Sequence, residues 1–332
     1  MKKVIIHTNL HERCGNAEYA RDLQKQLSQW YEVSCTDQHD LSNADIVIIN
    51  WCSGRVVLRY EMIQECRDRG QIVLVIWQQS LAEAWEAGHA LCAASAVTAH
   101  EPMVVSNLKV HYIPMGIPIV DVPDFKSDGQ LRIGTAGFPF LWKRYDVVAE
   151  AARKFNAKLI MFGPKNEHFD AGEYLNGIAG HLGGNAEIVQ DWLPVEQIVQ
   201  TLATCDVNIF WFESQKDEDQ CGQSASVRMG IAAKRPTIIS GHRKFRTLLP
   251  YGAAPNPELY VAWEEPAVYE FITEILAHPE RARRPKRLLA EQGWPATGLM
   301  YRNLIEEISK NEKVENDSIE NDEARGLRAL GS

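Results

Sequence analysis

The sequence predicts an α/β protein made of two doubly wound domains, each a parallel sheet flanked by helices. Three observations predict it. Short apolar runs alternate with helical patterns along most of the chain, the order that a parallel sheet with crossover helices requires. The strongest run, Ile72-Val73-Leu74-Val75-Ile76, is continuous and mostly β-branched, as a strand buried on both faces must be. The chain has 332 residues, enough for two domains, and a polar segment with Pro123 and Gly129 divides it. The expected organisation is a first domain over 1–120, a linker over 121–130 and a second domain over 131–292. A helix over 293–310 is expected to pack back on the first domain, and 311–332 is charged and nearly free of aromatics, so no order is expected there.

In the first domain, Val4-Ile5-Ile6 is the first strand. Ala17, Ala20, Leu23, Leu27 and Trp30 recur at helical spacing and predict an amphipathic helix over 17–30. Gly15 and Asn16 precede it. A helix start just past a strand leaves N–H groups that hold an anion or a hydroxyl; the alternative is that Gly15 only makes a tight turn. Strands follow at 32–35, 45–50, 71–77, 96–99 and 110–114, six to seven in all, with helices at 55–69, stopped by Gly70, and at 82–92.

In the second domain, Leu131-Arg132-Ile133-Gly134-Thr135-Ala136-Gly137 is an apolar run into a glycine turn, and a helical pattern starts at Val147. Strands at 158–162, 186–189, 205–212, 237–240 and 259–262 follow. The fourth strand ends in a polar loop over 213–226, and a helix of small residues covers 227–234. Helices are expected at 265–277 and 294–308. The basic cluster Arg281, Arg283, Arg284, Lys286 and Arg287 reads as a solvated helix surface, with a phosphate or membrane-surface contact as the alternative.

Composition is that of a soluble globular protein: 45% hydrophobic and 24% charged residues. The net charge of −9 argues against nucleic acid as a general partner. Seven cysteines show neither metal-ligand spacing nor an even framework and read as reduced thiols. The start, two lysines and three apolar residues before His7, reads as a strand rather than a signal peptide. No apolar run reaches the roughly 20 residues of a membrane span. The expected location is therefore cytoplasmic, with peripheral membrane contact left open.

Several segments match one pattern. Cys14-Gly15-Asn16-Ala17-Glu18-Tyr19-Ala20 resembles the opening glycine loop of the retaining GT-B glycosyltransferases of the family-four (group 1) type. His111-Tyr112-Ile113-Pro114-Met115-Gly116-Ile117-Pro118 resembles their strand-to-linker signature. Gly137-Phe138 with Lys143-Arg144-Tyr145-Asp146 resembles their glycine turn and phosphate-binding lysine. Gln190-Asp191-Trp192-Leu193-Pro194 resembles the loop beside the nucleotide base, and Ala232-Ala233-Lys234-Arg235-Pro236-Thr237-Ile238-Ile239 resembles their Ala-Ala-Gly-Lys-Pro-Val-Ile run. The resemblance covers 2–308. It implies two Rossmann-like domains facing each other across a cleft, and transfer of a hexosyl group from a nucleoside diphosphate sugar to an acceptor hydroxyl with retention. It implies no metal and no other required cofactor. The acceptor, a glycan, a lipid-linked sugar or another hydroxyl compound, has no signature in the sequence. Three positions depart from the pattern. Phe138 stands where an arginine is common, the place of a second glutamate falls near Arg228-Met229, and Gln78 and Gln79 replace a histidine.

Transfer from such a donor builds negative charge on the leaving phosphate, so fixed positive charge and oriented N–H groups are needed there. Lys143, after the glycine turn of Gly137 and Phe138, is the expected point charge. Ser224, Ala225 and Ser226 begin a helix whose free N–H groups would meet the same phosphate, and Arg228 would add a second charge. Gly222 and Gln223 lie in the loop leading to them. Gly163, Trp192 and Leu193 are expected to frame base and ribose. Glu213, Glu218 and Asp219 have three readings: contacts to sugar hydroxyls, a divalent-cation site, or a solvated loop. Glu213 and Asp219 are retained as catalytic candidates. On the acceptor side the candidates are Gly15, Asn16, Glu18 and Glu101, with His100 as the base-like group; a structural histidine is the competing reading. A nucleotide-sugar epimerase and a non-catalytic nucleotide-sugar-binding protein are the alternatives on the same scaffold.

Overall fold

The computed structural model describes residues 1–10, 15–51, 56, 58–78, 87–103, 105, 108–124, 129–165, 171–213, 224–253 and 255–329, with side chains as far as Glu312. The chain forms two compact units: Met1–Ile113 with Thr297–Ser332, and Pro114–Ala296.

The first unit holds β1 (Lys3–His7), α1 (Gly15–Leu27), β2 (Glu32–Thr36), β3 (Ile46–Trp51), α2 (Tyr60–Asp68), β4 (Ile72–Trp77), α3 (Gly88–Ala93), β5 (Ala96–Ala99) and β6 (Val110–Tyr112). The six strands pair in the order β2-β1-β3-β4-β5-β6, all parallel. β3 and β4 are buried along their whole length, in register from Ile46 with Ile72 to Trp51 with Trp77. This is the physical meaning of the apolar runs Ile46–Ile49 and Ile72–Trp77.

The second unit holds β7 (Arg132–Ala136), α4 (Tyr145–Lys154), β8 (Lys158–Phe162), α5 (Gly172–His181), β9 (Ala186–Val189), α6 (Val195–Leu202), β10 (Val207–Phe210), α7 (Ala225–Ala232), β11 (Thr237–Ser240), α8 (Leu249–Ala253), β12 (Tyr260–Ala262), α9 (Glu265–Ala277) and α10 (Lys286–Gln292). Its six strands are also parallel, ordered β12-β11-β10-β7-β8-β9. Side chains alternate between two apolar layers. Leu159, Met161, Val207 and Ile209 pack in one with Val148 and Ile272; Ile160, Phe162 and Phe210 pack in the other with Val199 and Ile231. The segment after Ile113 runs with this unit: Ile117 is fully buried in the second layer, and its N–H donates to the Gln292 carbonyl at 2.8 Å.

Strand order locates the ligand loops. In open parallel sheets the crevice lies where the direction of winding reverses. That point is between β1 and β3 in the first sheet and between β7 and β10 in the second.

Three expected elements differ. The helix expected over 55–69 starts at Tyr60, because Arg59 is extended (φ −113°, ψ 132°) and Val56 is buried in the core ahead of it. Of the helix expected over 82–92, Gly88–Ala93 is helical, and 81–86 lie outside the described residues. The final helix α11 spans Trp294–Ala329, well past the expected 308–310. After Pro295 the chain has no proline, and Glu, Lys, Arg, Ala and Leu recur along it, so nothing breaks the helix. Its part from Thr297 belongs to the first unit, where the Tyr301 hydroxyl lies 2.9 Å from that of Tyr19.

Candidate functional site

The loops at the reversal point of the second sheet converge on one buried ammonium. β7 ends at Ala136, and Gly137 follows with φ +124°, a conformation that L side chains rarely adopt. The carbonyl of Gly137 accepts a hydrogen bond from the Tyr145 hydroxyl at 2.8 Å, which ties the turn to the first residue of α4. The chain then makes a 3-10 turn, Leu141–Lys143, and turns back at Arg144 in the left-handed region (φ 41°). The turn drives Lys143 inward, to 7% exposure.

Lys143 Nζ lies 6.0, 5.5 and 5.7 Å from the ring centres of Phe140, Trp142 and Phe212. These rings form one wall: Phe140 and Trp142 stack at 5.7 Å, and Phe212 meets Trp142 edge-on at 5.0 Å. Gly137 and Ser226 lie on another side, for a Cβ on Gly137 would collide with both Lys143 Nζ and the Ser226 side chain. Ser226 belongs to the first turn of α7, and its hydroxyl lies 2.8 Å from that of the N-cap residue Ser224. The Ser224 side chain makes no capping hydrogen bond, so it does not satisfy the first N–H groups of the helix. Among the described residues no carboxylate pairs with Lys143. Burial, and after it the nearby Lys244, push its ammonium down to about 7. A cation held in an apolar wall beside a helix N-terminus is a receptor for an anion.

The other expected residues are placed as follows. Phe138 lies 5.8 Å from Trp192, ring centre to ring centre, and 6.0 Å from Phe140, extending the aromatic wall. Leu193 packs against the second apolar layer, and the N–H of Gly163 donates to the Val189 carbonyl. Ala225 is exposed at the start of α7. Glu213 is bound by Arg144 Nη1 at 3.2 Å, and the same guanidinium holds Asp146 and Glu265 at 2.9 and 3.1 Å. Arg228, 1% exposed, is directed at Gln292 Oε1, at 3.2 and 3.3 Å from its two Nη atoms. Glu218, Asp219, Gly222 and Gln223 lie outside the described residues. The motifs missed Lys244 in the turn after β11, and Trp142 and Phe212 in the wall; all three lie in loops at strand ends.

At the reversal point of the first sheet, Asn50 Nδ2 donates to Thr8 Oγ1 at 3.2 Å and to the Asn16 carbonyl at 3.0 Å. The Gln78 amide donates to Asn50 Oδ1. Buried Asn50 thereby pins the start of α1, with Gly15 and Asn16, to β1 and β3. Glu18 pairs with Arg21 at 2.6 Å. His100, 2% exposed, donates from Nδ1 to the Ile113 carbonyl at 3.0 Å and packs on Tyr19; Glu101 beside it is buried. His7, at the end of β1, is held below its ordinary value by burial and by His39. Among the described residues no group of three His, Cys, Asp or Glu side chains could hold a metal ion, and no helix is long and apolar enough to cross a membrane.

No protein-family model matches the chain, and no curated protein matches it in sequence. Solved structures do match it in fold. HepE of Anabaena, solved in complex with UDP and glucose, superposes with a TM-score of 0.66 at 10% identity, over 92% of this chain and 100% of that one. A glycosyltransferase of Rickettsia africae ESF-5 gives 0.69 at 11% identity, over 93% and 99%. AviGT4, a glycosyltransferase of avilamycin A biosynthesis, gives 0.57 at 12% identity, over 91% and 96%. The two parallel six-stranded sheets are those of the GT-B fold.

Proposed function

We propose that this chain is a glycosyltransferase that takes a sugar from a nucleoside diphosphate sugar, with UDP as its nucleotide, and transfers it to an acceptor hydroxyl. One observation carries the reading: Lys143 is a buried ammonium without a carboxylate partner among the described residues, facing Gly137 and the first turn of α7 at the reversal point of the sheet. UDP or UDP-glucose in the HepE structures of the same fold supports the choice of nucleotide.

In this reading the diphosphate takes the place of the missing counter-anion. Lys143 Nζ meets the charge that grows as the glycosidic bond breaks, and the N–H groups at Ser224–Ser226 meet the same phosphate. The aromatic wall keeps water from the ammonium, so its field falls on the phosphate undiminished. Phe138 and Trp192 offer rings to the base or ribose. Retention follows the resemblance in the motifs.

The test is calorimetry with UDP, GDP, ADP and TDP, followed by incubation with the matching nucleotide sugars and product analysis. The expected result is UDP binding that Lys143→Gln abolishes, and release of UDP only when an acceptor is supplied. Conversion of donor without acceptor would point to an epimerase, and binding without any donor consumption to a non-catalytic protein. Full-strength UDP binding by Lys143→Gln would remove the assignment.

A further inference from the structure

After Met1, Trp263 is the most exposed large apolar side chain among the described residues, at 70%. It follows the carboxyl end of β12, the edge strand of the second sheet. The indole is seated rather than loose. A Cβ built on Gly241 would fall nearly equidistant from three consecutive ring atoms, Cδ2, Cε3 and Cζ3. A point above the ring has that relation to it; a point in the ring plane would stand much nearer the middle atom. One face of the indole therefore lies on Gly241, whose N–H donates to the Ala262 carbonyl at 2.9 Å and ties the seat to β12. The exposure belongs to the other face and the edges. Next in the chain, Glu264 is exposed, and as the N-cap of α9 it makes no side-chain capping hydrogen bond. Neither its carboxylate nor the Trp263 Nε1–H has a partner among the described residues. Glu265, by contrast, is held by Arg144 at 3.1 Å.

We propose that Trp263 is the stacking platform of a saccharide subsite, holding one pyranose ring of an oligosaccharide chain outside the diphosphate pocket. A pyranose presents a face of C–H groups that carry slight positive charge, and the indole face is negative. Covering that face also releases the water lying on it. The hydroxyls of a sugar stand around its ring edge, where the indole N–H donates to one and the Glu264 carboxylate accepts from another. The seat on Gly241 orders the ring in advance, so little lost freedom opposes binding. A phosphorylated ligand suits this place poorly, because the unpaired group beside the ring is a carboxylate, which repels an anion. The subsite is also separate from Lys143. Sheet order puts three strand spacings, of about 4.8 Å each, between β12 and β7, whose end carries the Gly137 turn. Such a subsite keeps a glycan chain beside a sugar-transferring site, and it stands whether or not the chain binds UDP.

Calorimetric titration of the full chain with cellohexaose, maltohexaose, chitohexaose and galactohexaose reads saccharide binding, and the same preparations are titrated with UDP. The wild type is expected to bind at least one of the sugars. Trp263→Ala is expected to weaken that binding about tenfold or more, and Trp263→Phe, which keeps a smaller face, to weaken it less. Gly241→Ala lifts the indole from its seat and is expected to weaken binding although the ring remains; Gly241 has no positive φ, so its backbone accepts alanine. Glu264→Gln is expected to cost about threefold. UDP binding by Trp263→Ala and Glu264→Gln should stay within about twofold of wild type. Thermal melting of each variant verifies folding. Failure of the wild type to bind any of these sugars, or equal affinities in wild type and Trp263→Ala, would overturn the subsite. Loss of UDP binding in Trp263→Ala would overturn it too, by placing the ring in the nucleotide site. Trp263-dependent self-association in sedimentation, without saccharide binding, would give the ring to a second copy of the chain and end the proposal. Saccharide binding without UDP binding would support the subsite and remove the nucleotide reading.

Discussion

The Cβ that Gly137 lacks would fall on the Nζ of Lys143. A side chain at 137 would therefore displace the ammonium and press on Ser226, and the backbone there, at φ +124°, resists one independently. Gly137→Ala is expected to lose about 1–3 kcal/mol of stability from backbone strain and to lose UDP binding as the ammonium is displaced. Chemical denaturation and calorimetry check the two effects. Retained binding would show that the turn does not set the position of Lys143.

Lys143 costs stability when no anion is present. Its folded value of about 7 lies below the ordinary 10.5, so between those values the unfolded chain binds more protons than the folded one. Stability of the unliganded protein should therefore rise with pH through that window, and the penalty is fully present below about 7. Lys143→Met is expected to stabilise the unliganded protein by on the order of 3 kcal/mol at neutral pH and to remove that rise. Denaturant unfolding from pH 6 to 10, on wild type and variant, measures both. A variant less stable than wild type at pH 6 would contradict the electrostatic account.

Gln292 holds a buried guanidinium. Its Oε1 accepts from both Nη atoms of Arg228, and its Nε2 donates to the Tyr251 hydroxyl at 3.2 Å. Gln292→Leu leaves Arg228 in an apolar layer without that acceptor, and the expected loss is about 2–3 kcal/mol. Gln292→Glu, which supplies a carboxylate at the same place, should lose much less. Equal losses in the two variants would show that packing, not hydrogen bonding, matters there.

Much of the fold was legible in the sequence because its strands are short, largely apolar runs set between turns and helical patterns. Ala96–Ala99, Ala186–Val189 and Thr237–Ser240 fall where the pattern puts them. The helix Gly172–His181 was not identified. Its three glycines, Gly172, Gly177 and Gly180, lower its propensity, and packing of Leu175 and Ile178 into the core supplies what local preference lacks. The inward placement of Lys143 was legible from the glycine turn before it and the helix after it. The approach of Lys244 to the Trp142 ring was not, because the two stand about a hundred residues apart along the chain and no local spacing encodes that meeting. The commitments of Glu213 to Arg144 and of Arg228 to Gln292 were equally hidden, since each partner comes from another element.

The hydroxyls of Tyr19 and Tyr301 meet across 282 positions of sequence. Tyr301→Phe removes the buried hydroxyl that also lies 3.4 Å from Thr98 Oγ1, and the expected loss is about 1–2 kcal/mol. Tyr301→Ala adds a cavity, with an expected loss of about 3–5 kcal/mol. Urea unfolding followed by near-ultraviolet circular dichroism reads both. A loss below 0.5 kcal/mol for Tyr301→Ala, far short of an ordinary core truncation, would detach the helix from that core.

That pairing imposes a schedule on biosynthesis. All six strands of the first sheet have been synthesised once Tyr112 is added, yet the surface that receives Tyr301, Leu304 and Ile305 stays bare until the whole second unit has been translated. The amino-terminal third of the chain must wait with apolar surface uncovered for a helix nearly two hundred residues downstream.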